Sequence, residues 1–157
     1  MIDFSLAQKQ LAALTDGCRP LSALSNAAAF IYSLLPDVSW VGFYLTDESG
    51  EKLLLGPFQG KTACTEIPFG KGVCGTAAQR KESVLVKDVH LFPGHIACDS
   101  GSRSELVIPL TDGGGRVLGV LDLDSYSEGR FTEEDREGLE TLGRVIAGIP
   151  GIGRIVT

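Results

Sequence analysis

Val117-Leu118-Gly119-Val120-Leu121-Asp122-Leu123-Asp124-Ser125 is an apolar run that closes on two acids. Its content of β-branched and leucine residues reads as a strand over 117–124. Side chains alternate along a strand, so Asp122 and Asp124 leave the same face, roughly 7 Å apart. Acids at an apolar strand end need a reason, and the ordinary one is fraying into solvent before Ser125-Tyr126-Ser127. The preceding run, 105–110, argues otherwise, because Asp112-Gly113-Gly114-Gly115 joins the two runs as a tight turn that needs positive φ. Antiparallel pairing through that turn brings Glu105, Asp122 and Asp124 to one end of the sheet. Carboxylates crowded in this way bind a cation or share a proton.

Immediately upstream, residues 88–105 hold His90, His95, Cys98, Asp99, Arg103 and a Pro93-Gly94 turn between apolar runs. Such a composition suits a surface loop with reactive side chains. His95 and Cys98 are three apart, but no Cys-x-x-Cys pair accompanies them, so the usual zinc spacing is missing and no metal site is expected.

Further outward the chain alternates between helical and strand patterns. A modest helix is expected over 5–14, then a second over 21–35, where Leu21, Leu24, Ala28, Ile31 and Leu35 form one stripe that ends at Pro36. Residues 38–46 switch to period two and form a hairpin with 52–58 through Asp47-Glu48-Ser49-Gly50. Trp40, Gly42 and Tyr44 share one face of this strand, and Val41, Phe43 and Leu45 share the other. A third strand is expected over 62–68, a glycine-rich helix entry over 70–80 and a brief strand over 83–86. Glycines before a helix start can present N–H groups to a carboxylate-sized anion. Thr132 caps a last helix whose first turn, Glu133-Glu134-Asp135, suits the helix dipole. Leu139, Leu142, Ile146 and Ile149 give that helix its core stripe. Hairpins in sequence imply an α+β fold: a largely antiparallel sheet with helices packed on one face and pocket-forming loops on the other.

With 157 residues and 43% hydrophobic content, the chain suits one domain over 1–157. A net charge of -6 without any basic cluster argues against nucleic acid and anionic membrane surfaces. No basic leader region and no apolar run of about eighteen residues occur, so a cytoplasmic protein is expected. In that reducing compartment Cys18, Cys64, Cys74 and Cys98 are not a disulfide framework; each is inert, metal-bound or redox-active. Cys18, in a connector, is expected to be inert.

The strand 117–124 followed by Ser125, and then Arg130-Phe131-Thr132-Glu133-Glu134-Asp135 and a terminal helix, resembles a GAF domain. Four further motifs narrow the likeness: Trp40-Val41-Gly42-Phe43-Tyr44; Leu55-Gly56-Pro57-Phe58-Gln59-Gly60-Lys61-Thr62-Ala63-Cys64; Gly70-Lys71-Gly72-Val73-Cys74-Gly75-Thr76-Ala77; and Gly94-His95-Ile96-Ala97-Cys98-Asp99-Ser100. Together they resemble the free methionine-R-sulfoxide reductases over about residues 20–148. The tail 150–157 has no counterpart in the pattern.

That resemblance implies thiol chemistry: a thiolate attacks the sulfoxide sulfur, a sulfenic acid remains on the cysteine, and a second cysteine closes a disulfide. No bound cofactor is implied, only an external dithiol, thioredoxin supplied ultimately by NADPH. Trp40 and Tyr44 match residues that cage the S-methyl end of the substrate. Glu105, Asp122 and Asp124 match the acidic pocket residues, which pair with the ammonium and donate a proton to the leaving oxygen; Asp124 is the expected donor and Glu105 the alternative. Cys98 is expected as nucleophile, because its polar loop lets a thiol ionise provided Asp99 points away, with Cys64 the principal resolving thiol. Cys74 remains open as a further resolving thiol or, through the dipole at its helix start, as the nucleophile itself. A homodimer through the second and last helices is compatible with their stripes. A sensory GAF module that binds a small molecule without catalysis is the alternative, although three cysteines in pocket-forming segments have no purpose in that scheme.

Overall fold

The computed structural model describes residues 1–96, 98 and 101–155. Ten principal elements follow in the order α1 (Phe4–Thr15), α2 (Pro20–Leu34), β1 (Trp40–Thr46), β2 (Lys52–Gln59), β3 (Glu66–Pro68), α3 (Gly72–Arg80), β4 (Val84–Val86), β5 (Ser104–Thr111), β6 (Val117–Ser125) and α4 (Glu133–Ala147). Local chemistry sets most of the boundaries. Asp3 caps α1 by accepting from the Leu6 N–H at 3.0 Å. Pro20 occupies the first turn of α2, where its missing N–H costs nothing. Thr132 and Asp135 form a reciprocal capping box at α4. Asp112 accepts from Gly114 and Arg116 N–H groups in the β5–β6 turn, and of its three glycines only Gly115 takes a positive φ, 82°.

The strands form one antiparallel sheet of six in the order β3-β2-β1-β6-β5-β4. Alternation sorts its side chains into two cores. Val41, Phe43, Leu45, Leu106, Ile108, Leu110, Leu121 and Leu123 face α1, α2 and α4, where Leu11, Leu24, Ile31, Leu139, Leu142 and Ile146 are fully buried. Each such leucine contributes roughly 1.5–3 kcal/mol through burial alone. The opposite face carries Trp40, Tyr44, Val107 and Val120, and its cover is not made of loops only: α3 lies there, through Val73, Cys74, Ala77 and Ala78. The tail turns back as a short 3-10 turn and buries Ile152 in the helix-side core.

Four expected elements come out shorter, β1 and β4 only at their first residues. The strand expected over 62–68 reduces to Glu66–Pro68, so Cys64 lies in the irregular stretch before it. The carbonyls of that stretch are engaged elsewhere: Trp40 Nε1 donates to Lys61, the Tyr44 hydroxyl to Cys64, and the Leu55 N–H to Thr65. The helix expected from 70 begins at Gly72, because Gly70 takes a φ of 81° and its N–H turns to the Gly75 carbonyl.

Candidate active site

The register of the three central strands builds the floor of the pocket. Trp40 stands opposite Asp124, and Asp124 opposite Glu105; one rank along, Gly42 stands opposite Asp122 and Asp122 opposite Val107. The three acids expected at one end of the sheet are therefore neighbours on one face. Cys74, in the first turn of α3, closes the cluster from above: its Sγ lies 3.9 Å from Glu105 Oε2. Donor atoms of Cys74, Glu105 and Asp122 all fall within 4.8 Å of one another.

The surroundings of this cluster set its protonation. Burial, and then the charges of Asp122 and Asp124, push the Glu105 carboxyl well above the usual carboxylate range. Burial also raises Asp122, against hydrogen bonds from Glu105, Cys74 and Asp124 that favour its charged form. Among the described residues Asp122 Oδ1 is buried without a hydrogen-bond partner, an arrangement suited to a donor brought by a ligand. The Cys74 thiol is likewise held protonated, by burial and by Asp122, Glu105 and Asp124. This runs against the lowering left open for its helix start: α3 begins at Gly72, but burial and then the neighbouring acids outweigh its dipole.

The walls are aromatic. Trp40 stacks between Phe58, with ring centroids 5.2 Å apart, and Tyr44, at 5.9 Å. Phe58 had no assigned role in the sequence reading. Its place is set by a one-residue slip in β2, where Tyr44 pairs with Leu55 but Gly42 with Phe58, so Phe58 arrives directly beneath the indole. Gly42 is what admits the ring, since a Cβ there would stand 2.5 Å from Trp40 Cη2.

The roof is the long loop before β5. Its neck is closed by the Val89 N–H donating to the Arg103 carbonyl at 2.7 Å and by Arg103 reaching Asp88 at 3.6 Å. His95, Ile96, Cys98 and Ser102 line the cavity from this side, and Thr62, Ala63, Ile67, Gly72 and Val73 from the other. The cavity volume is about 50 Å³, room for a few water molecules. Burial and His90 lower the pKa of His95, so its imidazole is neutral at pH 7. Asp99, on whose orientation the ionisation of Cys98 was expected to depend, lies outside the described residues.

Cys64 and Cys98 form a disulfide, with Cα atoms 5.4 Å apart, that ties the stretch before β3 to the loop that roofs the pocket, and Cys98 lines the cavity. Cys74 and Cys18 are free thiols, the first buried and the second exposed. The bridge occupies the Cys98 sulfur, three residues beyond His95. The structure thus brings together Trp40, Tyr44, Cys64, Cys74, Cys98, Glu105, Asp122 and Asp124 around one cavity.

A curled antiparallel sheet with this cavity on one face is the architecture of a GAF domain, and the GAF domain family model matches residues 22–149. The free methionine-R-sulfoxide reductase of Escherichia coli is 52% identical over 122 residues, covering 78% of this chain and 72% of the relative. That of Saccharomyces cerevisiae is 51% identical over 128 residues, covering 78% and 71%. Among solved structures, the free methionine-R-sulfoxide reductase of Neisseria meningitidis in complex with its substrate superposes with a TM-score of 0.89 at 41% identity, over 96% of this chain and 90% of that one. The chain belongs to the free methionine-R-sulfoxide reductase family of GAF domains.

Proposed function

We propose that this protein reduces the R sulfoxide of free methionine to methionine. The observation that carries the reading is the Cys64–Cys98 bridge, whose Cys98 lines an acid-floored, aromatic-walled pocket, in a chain with relatives that bear that activity in their names. A ligand-sensing module needs the pocket but not the bridge.

In this reading the S-methyl end lies against Trp40 and Tyr44, and the ammonium meets the acidic floor, where the Asp122 oxygen lacks a partner. The first turn of α3 has no side-chain cap and lines the cavity at Gly72 and Val73, so its N–H groups suit the substrate carboxylate. The Cys98 thiolate attacks the sulfoxide sulfur while an acid of the floor protonates the oxygen. Oxygen passes to Cys98 as a sulfenic acid and methionine departs. Cys64 then attacks the Cys98 sulfur, water leaves, and the bridge forms. An external dithiol reopens it; thioredoxin, reduced from NADPH, fills this role in our proposal, without a bound cofactor. The two free cysteines, one exposed, suit a cytoplasmic setting. Cys74 stays a buried thiol above the acidic floor and serves as a secondary resolving group.

NADPH consumption with a thioredoxin system tests the reading on free methionine-R-sulfoxide, its S epimer and a sulfoxide blocked at both ends. The free R form should turn over. The blocked form should be very poor, because it leaves buried carboxylates facing an uncharged nitrogen. Comparable turnover of the blocked sulfoxide would overturn the selectivity for the free amino acid, and a Cys98→Ser protein that still releases one equivalent of methionine would move the nucleophile to Cys74.

A further inference from the structure

The two aromatic side chains that wall the pocket also hold the segment that carries Cys64. Trp40 Nε1–H donates to the Lys61 carbonyl at 3.0 Å, and the Tyr44 hydroxyl donates to the Cys64 carbonyl at 2.9 Å. Both donors sit on β1 inside the sheet, 7% and 2% exposed. Both acceptors lie on the stretch between β2 and β3, which has no ladder of its own. The Leu55 N–H, donating to the Thr65 carbonyl at 3.0 Å, is the next backbone anchor along that stretch.

These donors have little freedom. Phe58 and Tyr44 flank the indole, and a side chain at Gly60 would place a Cβ 2.6 Å from Trp40 Cδ1, so the ring fills its slot from the loop side as well. Burial, followed by the charge of Asp122, keeps the Tyr44 phenol protonated and therefore always a donor. The carbonyl that it fixes belongs to the cysteine whose Cα stands 5.4 Å from that of Cys98, within the span a disulfide requires.

We propose that Tyr44 is a positioning residue for closure of the disulfide: its hydroxyl holds the Cys64 backbone at bridging distance from Cys98, and Trp40 pins the same segment at Lys61. The proposal rests on the reductase reading only for its place in the cycle. In the step concerned, the Cys64 thiolate supplies the electron pair of the new Sγ–Sγ bond. The Sγ–O bond of the Cys98 sulfenic acid breaks, and the oxygen leaves with that bond's pair and, once protonated, is water. No outside electrons enter. Because the step is intramolecular, its rate follows the share of time that Cys64 spends in reach, which an anchored backbone raises. Loss of one buried neutral hydrogen bond should slow it about three- to tenfold.

The test oxidises reduced wild-type and Tyr44→Phe enzymes with hydrogen peroxide and follows the sulfenic acid by trapping with a cyclic dione. Closure is followed by mass spectrometry of the Cys64–Cys98 peptide and by fluorescence of Trp40, the single tryptophan of the chain. Peroxide makes the sulfenic acid without substrate, so changes in substrate affinity drop out. The expected result is a sulfenic acid that lives about three- to tenfold longer in Tyr44→Phe, with more sulfinic acid under excess peroxide. Trp40→Phe, which loses the indole N–H but keeps Tyr44, should lengthen it as well and guards against a folding defect in the first variant. A Tyr44 that served only packing would lower thermal stability and leave the ratio of closure to sulfinic acid at the wild-type value, which overturns the proposal. Wild-type protein that closes its bridge with peroxide but not with free methionine-R-sulfoxide would refute the reductase reading instead, and leave the tether standing on the peroxide result.

Discussion

Asp122, a cavity-lining residue, has a buried Oδ1 without a hydrogen-bond partner among the described residues, while Glu105, beside it, is held protonated by burial and by its acidic neighbours. These two facts suit the floor to receive a cation and to hold a proton. They also make stability depend on pH. Glu105 has a raised folded pKa, so the native protein keeps a proton that the unfolded chain has released by about pH 4.3. Its contribution is fully present below that point and is lost as pH rises through the folded value. Urea midpoints measured from pH 4 upward should therefore fall more steeply for wild type than for Glu105→Gln; Asp122, also raised, leaves a residual slope of the same sign. Parallel curves would place the proton elsewhere. The catalytic donor separates by kinetics. Whichever of Glu105→Gln and Asp124→Asn removes the donor should lower the single-cycle rate of methionine release on the order of a hundredfold, whereas loss of a purely binding acid raises KM. Equal rates in both variants would exclude the two as donors.

At the scale of elements, the period-two pattern made β1, β5 and β6 legible, and with them the ranks that align Trp40, Asp124 and Glu105. Alternation needs only neighbouring residues, which is why it reads directly from sequence. The segment around Cys64 was not legible as coil, because its backbone is satisfied by side chains that arrive from β1 rather than by a ladder. Phe58 was missed for a similar reason. The slip beside Gly56-Pro57 moves it by one position, and counting back from the hairpin turn without a slip puts Pro57 opposite Gly42. The helix α3 was read, but its place on the pocket face and the fate of Cys74 depend on acids that lie 31 residues or more further along the chain. One consequence of the slip can be measured. Gly42→Ala puts a methyl group 2.5 Å from Trp40 Cη2 and against Phe58, so it should cost about 1–3 kcal/mol of stability. It should also raise KM on the order of tenfold, equivalent to ~1.4 kcal/mol of binding. A shifted Trp40 emission would accompany this, and an unchanged KM would show that the aromatic wall does not contact substrate.

For the molecule as a whole, the Cys64–Cys98 bridge closes a loop with a sequence separation of 34 residues, spanning β3, α3 and β4. Chain entropy sets a ceiling near 4 kcal/mol on what such a loop can add to the stability of the oxidised form over the reduced one. Thermodynamic linkage makes that same quantity the extent to which folding favours the disulfide over the dithiol. A structural bridge benefits from the full amount. The bridge of the proposed cycle must instead be reopened by an external dithiol at every turnover, and each 1.4 kcal/mol of excess stabilisation shifts its potential by about 30 mV away from the reductant. The expected difference between oxidised and reduced protein is therefore about 1–2 kcal/mol, well below the ceiling. Urea unfolding of the two forms, with Cys64→Ser as a control that cannot form this bridge, measures it directly. Should the oxidised form gain the full ~4 kcal/mol, the bridge would be a structural brace. Catalysis would then have to run through Cys74 and the acidic floor alone.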